Sequence, residues 1–412
     1  MFFWLWVLLA LDKTLPYPYS LLVMRTRNQR LLLYLVIVTN SISIATINPI
    51  LYKFATDLGI SGTLASAFYT VYGVSQFFAA PVLGRISDQV GRKWILLVCT
   101  LGTVLASLAQ GVFTSVWILF IARMVDGLTG GNNSVANAAL ADYSDKSERY
   151  RVFSYANGAF GVGFIGGSLL SWYLTRFGIQ TPFFGAAGMA TVSSLLLLFF
   201  FREPTRERSN AEPLNLTGEL GRVFTNIFQA LRSQRFHQYY IFMFVYALAV
   251  GMYVYANQPY ILEELTLDQG YVNALTGLFG AANILAIVAV PRLKKRFSTL
   301  PLLYGVCALT ILGFAGMPGG VVRFLGFAGV IAVVNAFVRP LLNGLVSEQS
   351  SGNEQGQNIG NLSSFFGLGF SVGPLLGGLL IASFWTGLPY YVAAGLVAGV
   401  GVYLWWQLRN TN

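Results

Sequence analysis

The decapeptide GRISDQVGRK, residues 84–93, is a short charged connection between two long apolar segments. The flanking segments, about residues 62–84 and 94–112, contain no charged residue apart from this connection. Each is close to the roughly 20 residues that an α-helix needs to cross the hydrocarbon core of a bilayer. Gly84 and Gly91 permit a tight turn, and the basic residues of the decapeptide favour the cytoplasmic face of the membrane. The stretch therefore predicts two membrane-spanning helices joined by a cytoplasmic turn.

The same composition continues along the chain. Apolar residues make up 55% and charged residues 10% of the 412 positions, against roughly 45–50% and about 25% in soluble domains. Charged or turn-rich breaks divide the sequence into twelve apolar segments, which predict an all-α membrane protein with twelve transmembrane helices. These spans cover about residues 31–55, 62–84, 94–112, 115–138, 151–175, 181–201, 238–262, 270–291, 299–317, 320–346, 358–381 and 387–407.

The basic residues predict the orientation. Twenty Lys and Arg residues lie in alternate connections on one side, whereas only Lys53, Arg176 and Arg323 lie in the others. Because basic loops stay in the cytoplasm, both termini should be cytoplasmic in the cell (inner) membrane. We also interpret residues 1–23 as an over-extended start, with Met24 as the functional start. The predicted organisation is a cytoplasmic segment (1–30), a six-helix bundle (31–201), a cytoplasmic linker with an amphipathic helix (202–237), a second six-helix bundle (238–407) and a cytoplasmic tail (408–412).

An internal repeat relates the two predicted bundles. A shift of 206 residues places Asn137 on Asn343 and Asp142 on Glu348. Matched acids in connecting loops are harder to obtain by chance than matched glycines. The repeat predicts two parallel six-helix copies related by an axis along the membrane normal, as in many transporters. Other matches are Ser144 with Ser350, Glu148 with Glu354, Gly161 with Gly367 and Gly167 with Gly373.

Several kinds of chemistry are excluded by residue type. The single histidine, His237, and two cysteines inside apolar segments, Cys99 and Cys307, form no metal-ligand cluster and no Cys/His pair. No Ser/His/Asp set and no nucleotide-binding loop is evident. We therefore expect no enzyme activity, no metal and no cofactor. The net charge of +10 follows from topology and does not predict nucleic-acid binding.

The decapeptide resembles the G-x-x-x-D-x-x-G-R-K/R signature of the major facilitator superfamily, and the resemblance extends from about Met24 to Asn412. Residues 123–127 resemble a motif of its proton-linked members. The first half is most similar to the twelve-helix drug:proton antiporter branch, including tetracycline exporters. Two departures are Ser168, at a position where that branch has proline, and Asn40, where tetracycline exporters have an acid. The complete helix-five glycine pattern of that branch stands instead at residues 369–378.

The resemblance implies a gating role for the charged loops. Asp88 is expected to lie against the start of the eleventh span, near Gln357 and Asn358, and to latch the two halves on the inside. The alternative interpretation is a solvated loop carboxylate. The gating candidates are Gly84, Arg85, Asp88, Gly91, Arg92, Lys93 and Asp142.

Arg123 and Asp126 are a close pair of opposite charges in the middle of the fourth span. Their three-residue spacing places them on one helix face. Charges at this depth are costly and face the protein interior. We weigh two interpretations equally: a proton-coupling pair and a structural ion pair.

Polar stripes on several spans predict a central pocket rich in aromatic and amide groups, because polar side chains do not face lipid cheaply. Taken singly, each side chain is more readily explained by an interhelical hydrogen bond than by a substrate contact. The pocket candidates are Asn40, Ser43, Tyr69, Tyr72, Gln76, Asn133, Asn137, Asn157, Tyr246, Tyr253, Asn257, Asn273, Asn283, Asn335, Arg339 and Asn343.

The sequence thus predicts a secondary active transporter that works by alternating access. Its expected activity is proton-coupled efflux of an amphipathic organic compound or drug. One alternative is a symporter or facilitator for a sugar or other small metabolite, and another is a membrane receptor or scaffold without transport. The expected partners are a small-molecule substrate, protons and the lipid bilayer, without nucleic acid, and we expect a monomer.

Overall fold

The computed structural model describes residues 19–145, 148–203, 216–233, 235–350 and 354–411. These residues form helices and short turns, and no strand occurs among them, so the predicted all-α fold is confirmed. The interpretation of Met24 as the start concerns residues that lie mostly outside this description, although the first described helix already includes Tyr19.

The described residues contain fifteen α-helices, which we number in chain order. Some predicted spans correspond to two helices, because a 3₁₀ turn at Asn48–Ile50 and a break after Leu128 interrupt them. The helices are α1 (Tyr19–Ile47), α2 (Leu51–Asp57), α3 (Gly62–Val90), α4 (Arg92–Val112), α5 (Val116–Leu128), α6 (Asn132–Asp142), α7 (Arg149–Leu174), α8 (Thr181–Phe200), α9 (Leu216–Arg232), α10 (His237–Pro259), α11 (Gln269–Lys294), α12 (Thr299–Gly316), α13 (Val321–Gln349), α14 (Gln355–Ser383) and α15 (Leu388–Thr411).

Nine helical segments of the described chain are long and apolar enough to cross a bilayer. They are α1 continued by α2, then α4, α8 and α10 to α15. Helices α3 and α7 are long enough but less apolar, while α5 and α6 have only 13 and 11 residues. The chain is therefore a multi-pass membrane protein.

The helices form two sets. The C-terminal set, α10 to α15, surrounds one large core that includes Phe242, Phe314 and Tyr390. The N-terminal set, α1 to α8, has two hydrophobic clusters, one around Leu96 and the other around Phe54. The hydrophobic cluster around Phe54 also includes Tyr255 of the C-terminal set. Helix α9 lies in the chain between the sets.

Glycines allow helices to cross closely within each set. A Cβ on Gly373 of α14 would lie 2.5 Å from the carbonyl oxygen of Leu248 on α10. In the N-terminal set, a Cβ on Gly167 of α7 would lie 2.5 Å from the carbonyl oxygen of Ile42 on α1. Small residues are the usual means by which membrane helices bring their backbones together. The glycine pattern at residues 369–378 therefore has a packing role against α10.

The two sets meet along α3 with α14 and along α7 with α11. Gly73 of α3 lies against Ser371 of α14. Where α7 crosses α11, a Cβ on Gly161 would lie 2.8 Å from the carbonyl oxygen of Gly280. Conversely, a Cβ on Gly280 would lie 2.7 Å from the carbonyl oxygen of Gly161. At the crossing of α7 and α11, the backbones of the two sets are thus in direct contact.

Hydrogen bonds join the sets at the end opposite to residues 84–93. The Gln258 side chain accepts a bond from the backbone N–H of Tyr52 (3.3 Å) and donates to the Asn48 carbonyl (3.0 Å) and the Tyr69 hydroxyl (2.6 Å). Further bonds at this end run from Gln269 to the Pro49 carbonyl (2.6 Å), from the Tyr52 hydroxyl to Glu263 and from the Tyr255 hydroxyl to the Gly62 carbonyl.

We call the other end, which carries residues 84–93, the decapeptide end. The glycine contacts between α3 and α14 pair Ser66 with Gly378, Gly73 with Ser371 and Phe77 with Gly367. Helix α9 contacts both α3 and α14. The described hydrogen bonds between the sets and the glycine contacts between α3 and α14 thus lie towards the end opposite to the decapeptide.

We expect Gly280→Ala to destabilise the protein, because the added methyl group would collide with the backbone carbonyl of Gly161. Overpacking of this kind costs about 1–3 kcal/mol. The measurement is the Tm of the purified protein. Gly305→Ala in α12 is the matched control, since no described atom beyond its own helix lies within 4 Å of that Cβ position. Equal Tm values for the two variants would contradict the close crossing.

Candidate functional site

The turn between α3 and α4 depends on Gly91. Its φ angle is +117°, a backbone conformation that residues with a Cβ rarely adopt. A Cβ at this position would also lie 3.0 Å from the carboxylate of Glu203. Position 91 therefore requires glycine, both for its backbone conformation and because Glu203 leaves no room for a side chain.

Arg92 is the centre of the decapeptide structure and is only 5% exposed. Its Nη2 lies 2.6 Å from Asp88 Oδ1, and its Nε donates to Asp142 Oδ2 at 2.9 Å. Its Nη1 donates to the Ser87 hydroxyl at 2.6 Å. These bonds connect the end of α3, the start of α4 and the end of α6. We call Asp88, Arg92, Asp142 and Glu203 the Arg92 cluster.

Glu203, just after α8, was not among the predicted site residues. Its carboxylate accepts hydrogen bonds from the backbone N–H groups of Arg92 (2.6 Å) and Lys93 (2.9 Å). The Lys93 ammonium donates to the Leu198 carbonyl at 2.8 Å. A carboxylate at the first turn of a helix satisfies free N–H groups and interacts favourably with the helix dipole. The available sequence signal was a carboxylate directly after the sixth span, on the predicted cytoplasmic side.

The expected latch concerns Asp88 and the start of α14. In this structure Asp88 forms an ion pair with Arg92. At the start of α14, Asn358 accepts a bond from the Tyr240 hydroxyl (2.9 Å) and donates to the Ser350 hydroxyl (2.9 Å), both in the C-terminal set. A latch between Asp88 and α14 stays a prediction.

Arg123 and Asp126 are both buried in α5, with exposures of 3% and 5%. Their closest approach is 3.7 Å, between Nη1 and Oδ2, which is too long for a hydrogen bond. Arg123 Nε and Nη2 have no hydrogen-bond partner among the described residues. The guanidinium carbon lies 5.7 Å from the centre of the Tyr72 ring. The pair is therefore loosely bonded at a site where charges are costly.

The predicted span 115–138 is not one helix, because residues 129–131 break it into α5 and α6. Peptide groups released by such a break need partners inside the protein, since hydrocarbon supplies none. The Gln76 side chain donates to the Gly130 carbonyl at 2.7 Å. Asn132, the first residue of α6, donates to Asn40 at 3.1 Å. Two predicted pocket residues, Gln76 and Asn40, thus support this break.

Other predicted pocket residues make interhelical or local hydrogen bonds within one set. Ser43 donates to the Ala186 carbonyl at 3.0 Å, and Tyr246 donates to Asn335 at 3.1 Å. Further contacts of this kind are Tyr390 donating to Asn257 (3.1 Å), Tyr253 packing against Phe314 and Tyr390, and Asn283 donating to the Phe279 carbonyl of its own helix (2.8 Å).

The remaining pocket candidates have different surroundings. Tyr69 lies where the two sets join, whereas Asn137 and Asn157 are exposed and Asn133 is half-buried. Asn273 is 2% exposed, and its two amide atoms have no hydrogen-bond partner in the described part of the chain. The candidates are therefore spread over the interface and both sets. Arg339 is exposed and touches α14, and Asn343 lies one turn further along α13.

A multi-pass helical protein with helices broken inside the membrane and a charged turn between spans has the architecture of a secondary transporter. The family model described as Major Facilitator Superfamily matches residues 33–333 and 240–412. The chain belongs to the major facilitator superfamily.

Two curated relatives match almost the whole chain. The tetracycline resistance protein, class H, of Pasteurella multocida is 27% identical, covering 93% of this chain and 97% of the relative. Multidrug resistance protein 2 of Bacillus subtilis (strain 168) is 26% identical, covering 93% and 98%. Among solved structures, the nucleoside transporter NupG has the same fold, with a TM-score of 0.74 at 13% identity, covering 92% of this chain and 99% of that chain.

We expect Arg92→Gln to lower the Tm, because Asp88 and Asp142 would lose the guanidinium that they share. Removing one partner of a fully buried pair costs about 3–5 kcal/mol. The loss of folding free energy should be smaller for Arg92→Gln, because the Asp88 side chain is 38% exposed.

Lys53→Gln is the matched control for this measurement. Its pair with Asp57 is exposed, with both side chains at 42%, and such pairs contribute about 0.2–1 kcal/mol. A Tm loss for Arg92→Gln no greater than that of Lys53→Gln would show that the Arg92 cluster does not stabilise the turn.

Proposed function

We propose that the chain is a proton-coupled exporter of amphipathic organic compounds that works by alternating access. The observation that carries the proposal is the asymmetry of the contact between the two sets. They are hydrogen-bonded together around Gln258, and the described glycine contacts between α3 and α14 lie between that end and Phe77. A transporter that exposes its pathway to one side at a time requires such a difference between its ends.

The orientation that we propose makes this state inward-facing. Basic connections lie at the decapeptide end, and basic loops remain in the cytoplasm. Both termini and the α9 region would then be cytoplasmic, in the cell membrane, and the joined end would face outwards.

We further propose twelve crossings in two six-helix repeats. Counting α1 with α2 as one crossing and α5 with α6 as another gives six crossings in each set. The large core formed by α10 to α15 and the cluster around Leu96 within the N-terminal set support this division. The shift of 206 residues between matched positions supports the parallel arrangement.

Similarity to relatives named as tetracycline and multidrug resistance proteins supports drug export, since each match covers more than nine-tenths of both chains. For gating, we propose that Asp88 exchanges its contact with Arg92 for one with the start of α14 when the inner end closes. For coupling, we propose Asp126, because it lies 3.7 Å from Arg123 without a hydrogen bond and rearrangement of α5 could change that distance.

Transport in proteoliposomes tests the function directly. Tetracycline and a panel of aromatic drugs would be offered under an imposed pH gradient and under none. Accumulation driven by the gradient is the expected result. Equilibration that ignores the gradient would identify a facilitator, and saturable binding without flux would identify a receptor.

We expect Asp126→Asn to abolish gradient-driven accumulation while downhill exchange of the same drug remains measurable. Asparagine retains the shape of the side chain but cannot carry a proton. The double variant Arg123→Gln with Asp126→Asn distinguishes coupling from structure. If the pair is only structural, the single variant leaves Arg123 as an uncompensated buried charge, at about 3–5 kcal/mol. Coupled transport restored in the double variant would then remove Asp126 from the mechanism.

Cysteine labelling tests the orientation. We expect a membrane-impermeant thiol reagent added to intact cells to label Ser383→Cys, at the joined end, and not Gln229→Cys, on α9. Both positions are exposed, whereas the native Cys99 and Cys307 are buried. Labelling of Gln229→Cys in intact cells would contradict the proposed topology.

A further inference from the structure

We infer that Arg339, with Ser363 and Phe366, forms an anion-binding subsite in the transport pathway. It would recognise the carboxylate of an amphipathic aromatic substrate. The inference rests on the proposed transport function and deepens it, because it names the chemical class of the substrate.

Arg339 lies deep in the membrane. It is ten residues from Gln349, the last residue of α13 at the decapeptide end. At 1.5 Å per residue this is about 15 Å along the helix axis, which is about half of a hydrocarbon core of roughly 30 Å. A guanidinium remains charged in proteins. Intramembrane charges of this kind face the bundle interior or a water-filled cavity, and they mark substrate or ion pathways.

The immediate surroundings of Arg339 leave its charge without a counter-ion. Its Nη2 lies 3.4 Å from the Ser363 hydroxyl, and its guanidinium carbon lies 5.1 Å from the centre of the Phe366 ring. No carboxylate of the described residues lies within 4.0 Å of its nitrogen atoms. By contrast, Arg123 has Asp126 within that distance, and Arg92 has two carboxylates.

The open space around Arg339 is local. The residue is exposed, whereas Val338 and Leu341 beside it are each only 1% exposed. Its side chain therefore extends away from the core of the C-terminal set. The direction of the Arg339 side chain can be inferred from the face of α14 that it touches. Residues spaced three and four apart lie on the same face of a helix.

Part of that face of α14 is directed at the N-terminal set. Ser363 shares this part with Gly367 and Ser371, whereas Phe366 and Phe370 lie at its edge and also pack against the core of the C-terminal set. Ser371 lies against Gly73 of α3, and a Cβ on Gly367 would lie 3.7 Å from the Phe77 ring. Arg339 contacts Ser363, which is one turn of α14 from Gly367, and thus lies beside the interface between the two sets. A substrate moving between the sets would meet it there.

The groups present match an aromatic carboxylate. A guanidinium has five N–H donors in a fixed fork that fits a carboxylate with two parallel hydrogen bonds. Only one such bond is recorded for Arg339 within the described chain, so donors remain for a ligand. Phe366 and Phe370 stack with centres 5.7 Å apart and provide an apolar surface beside the charge. Because a cation cannot gain from this site, the expected preference is anion over neutral compound over cation.

The experiment uses matched pairs of compounds with the full chain in proteoliposomes. Each pair has one aromatic body, as a carboxylate and as its primary amide, beginning with 1-naphthylacetate and 1-naphthylacetamide. For the wild-type protein we expect the carboxylate to bind about ten- to a hundredfold more tightly, the range of one charged hydrogen-bonded contact. Equal affinity for acid and amide in the wild type would overturn the subsite without any variant.

Variants then assign the preference to Arg339. Arg339→Gln should remove the preference for the carboxylate and leave amide affinity unchanged, while Arg339→Lys should retain part of it. Arg292→Gln is the matched control, because Arg292 is exposed near the end of α11 and donates only to the Val288 carbonyl of its own helix. If Arg339→Gln lowers affinity for both compounds equally, the role is structural and the inference is wrong. If Arg339→Gln fails to fold, the inference is tested by the Arg339→Lys variant and by the preference of the wild-type protein for the carboxylate.

Binding and flux are measured separately, so that the two proposals can fail independently. Ligand-induced change in Tm reports binding by the purified protein. A carboxylate-specific rise in Tm that is lost in Arg339→Gln supports the subsite even if no compound accumulates, in which case the export proposal fails. Accumulation of tetracycline or amides with no carboxylate preference overturns the subsite and leaves export standing.

Discussion

Hydrocarbon offers no hydrogen bond to a peptide group and no solvation to a charge, so each polar group inside the bilayer needs a partner within the protein or a water-filled space. At the break at residues 129–131, Gln76 donates to the Gly130 carbonyl and Asn40 accepts a bond from Asn132, which satisfies these groups. Burial by protein imposes a similar requirement on Arg92 at the charged turn, where Asp88 and Asp142 surround its guanidinium. Where the requirement is not met by the chain, as at Arg339, the structure points to a ligand or to water.

The close contact between the backbones of the two sets depends on glycine. At Gly161 and Gly280 the carbonyl of each glycine occupies the place that a side chain would need on the other. Side chains also meet at this crossing, because Ile284 lies beside Gly161 and Phe164 packs against Phe279. The two glycines therefore let the bundles approach closely, and the neighbouring side chains determine how they fit together.

The helices were predictable because charge-free segments of about 20 residues have few other structures open to them. The charged turn was predictable for the same reason. Arg92 and Asp142 were proposed from the resemblance to the family signature, and their gating role stays a prediction. Glu203 was not predicted, because its contact with the start of α4 spans 111 residues of sequence and has no periodic signal. The break after Leu128 was not predicted either, since the glycines at 130 and 131 lie in a stretch that is compatible with close helix packing. Pocket residues could be assigned to polar faces, but a polar face does not reveal whether its partner is a neighbouring helix, as for Tyr246, or the space between the sets, as for Arg339.

Gln258 has a consequence for how the outer end opens. Its single amide group takes part in three hydrogen bonds across the two sets, to Tyr52, Asn48 and Tyr69. Because all three depend on the position of one rigid planar group, loss of one misaligns the others. Separation at this end should thus be cooperative, with the amide either fully bonded or fully hydrated. A partially separated end would leave unsatisfied polar atoms in a dry interface, so intermediate openings should be short-lived, and leakage of solutes through a half-open pathway should be rare.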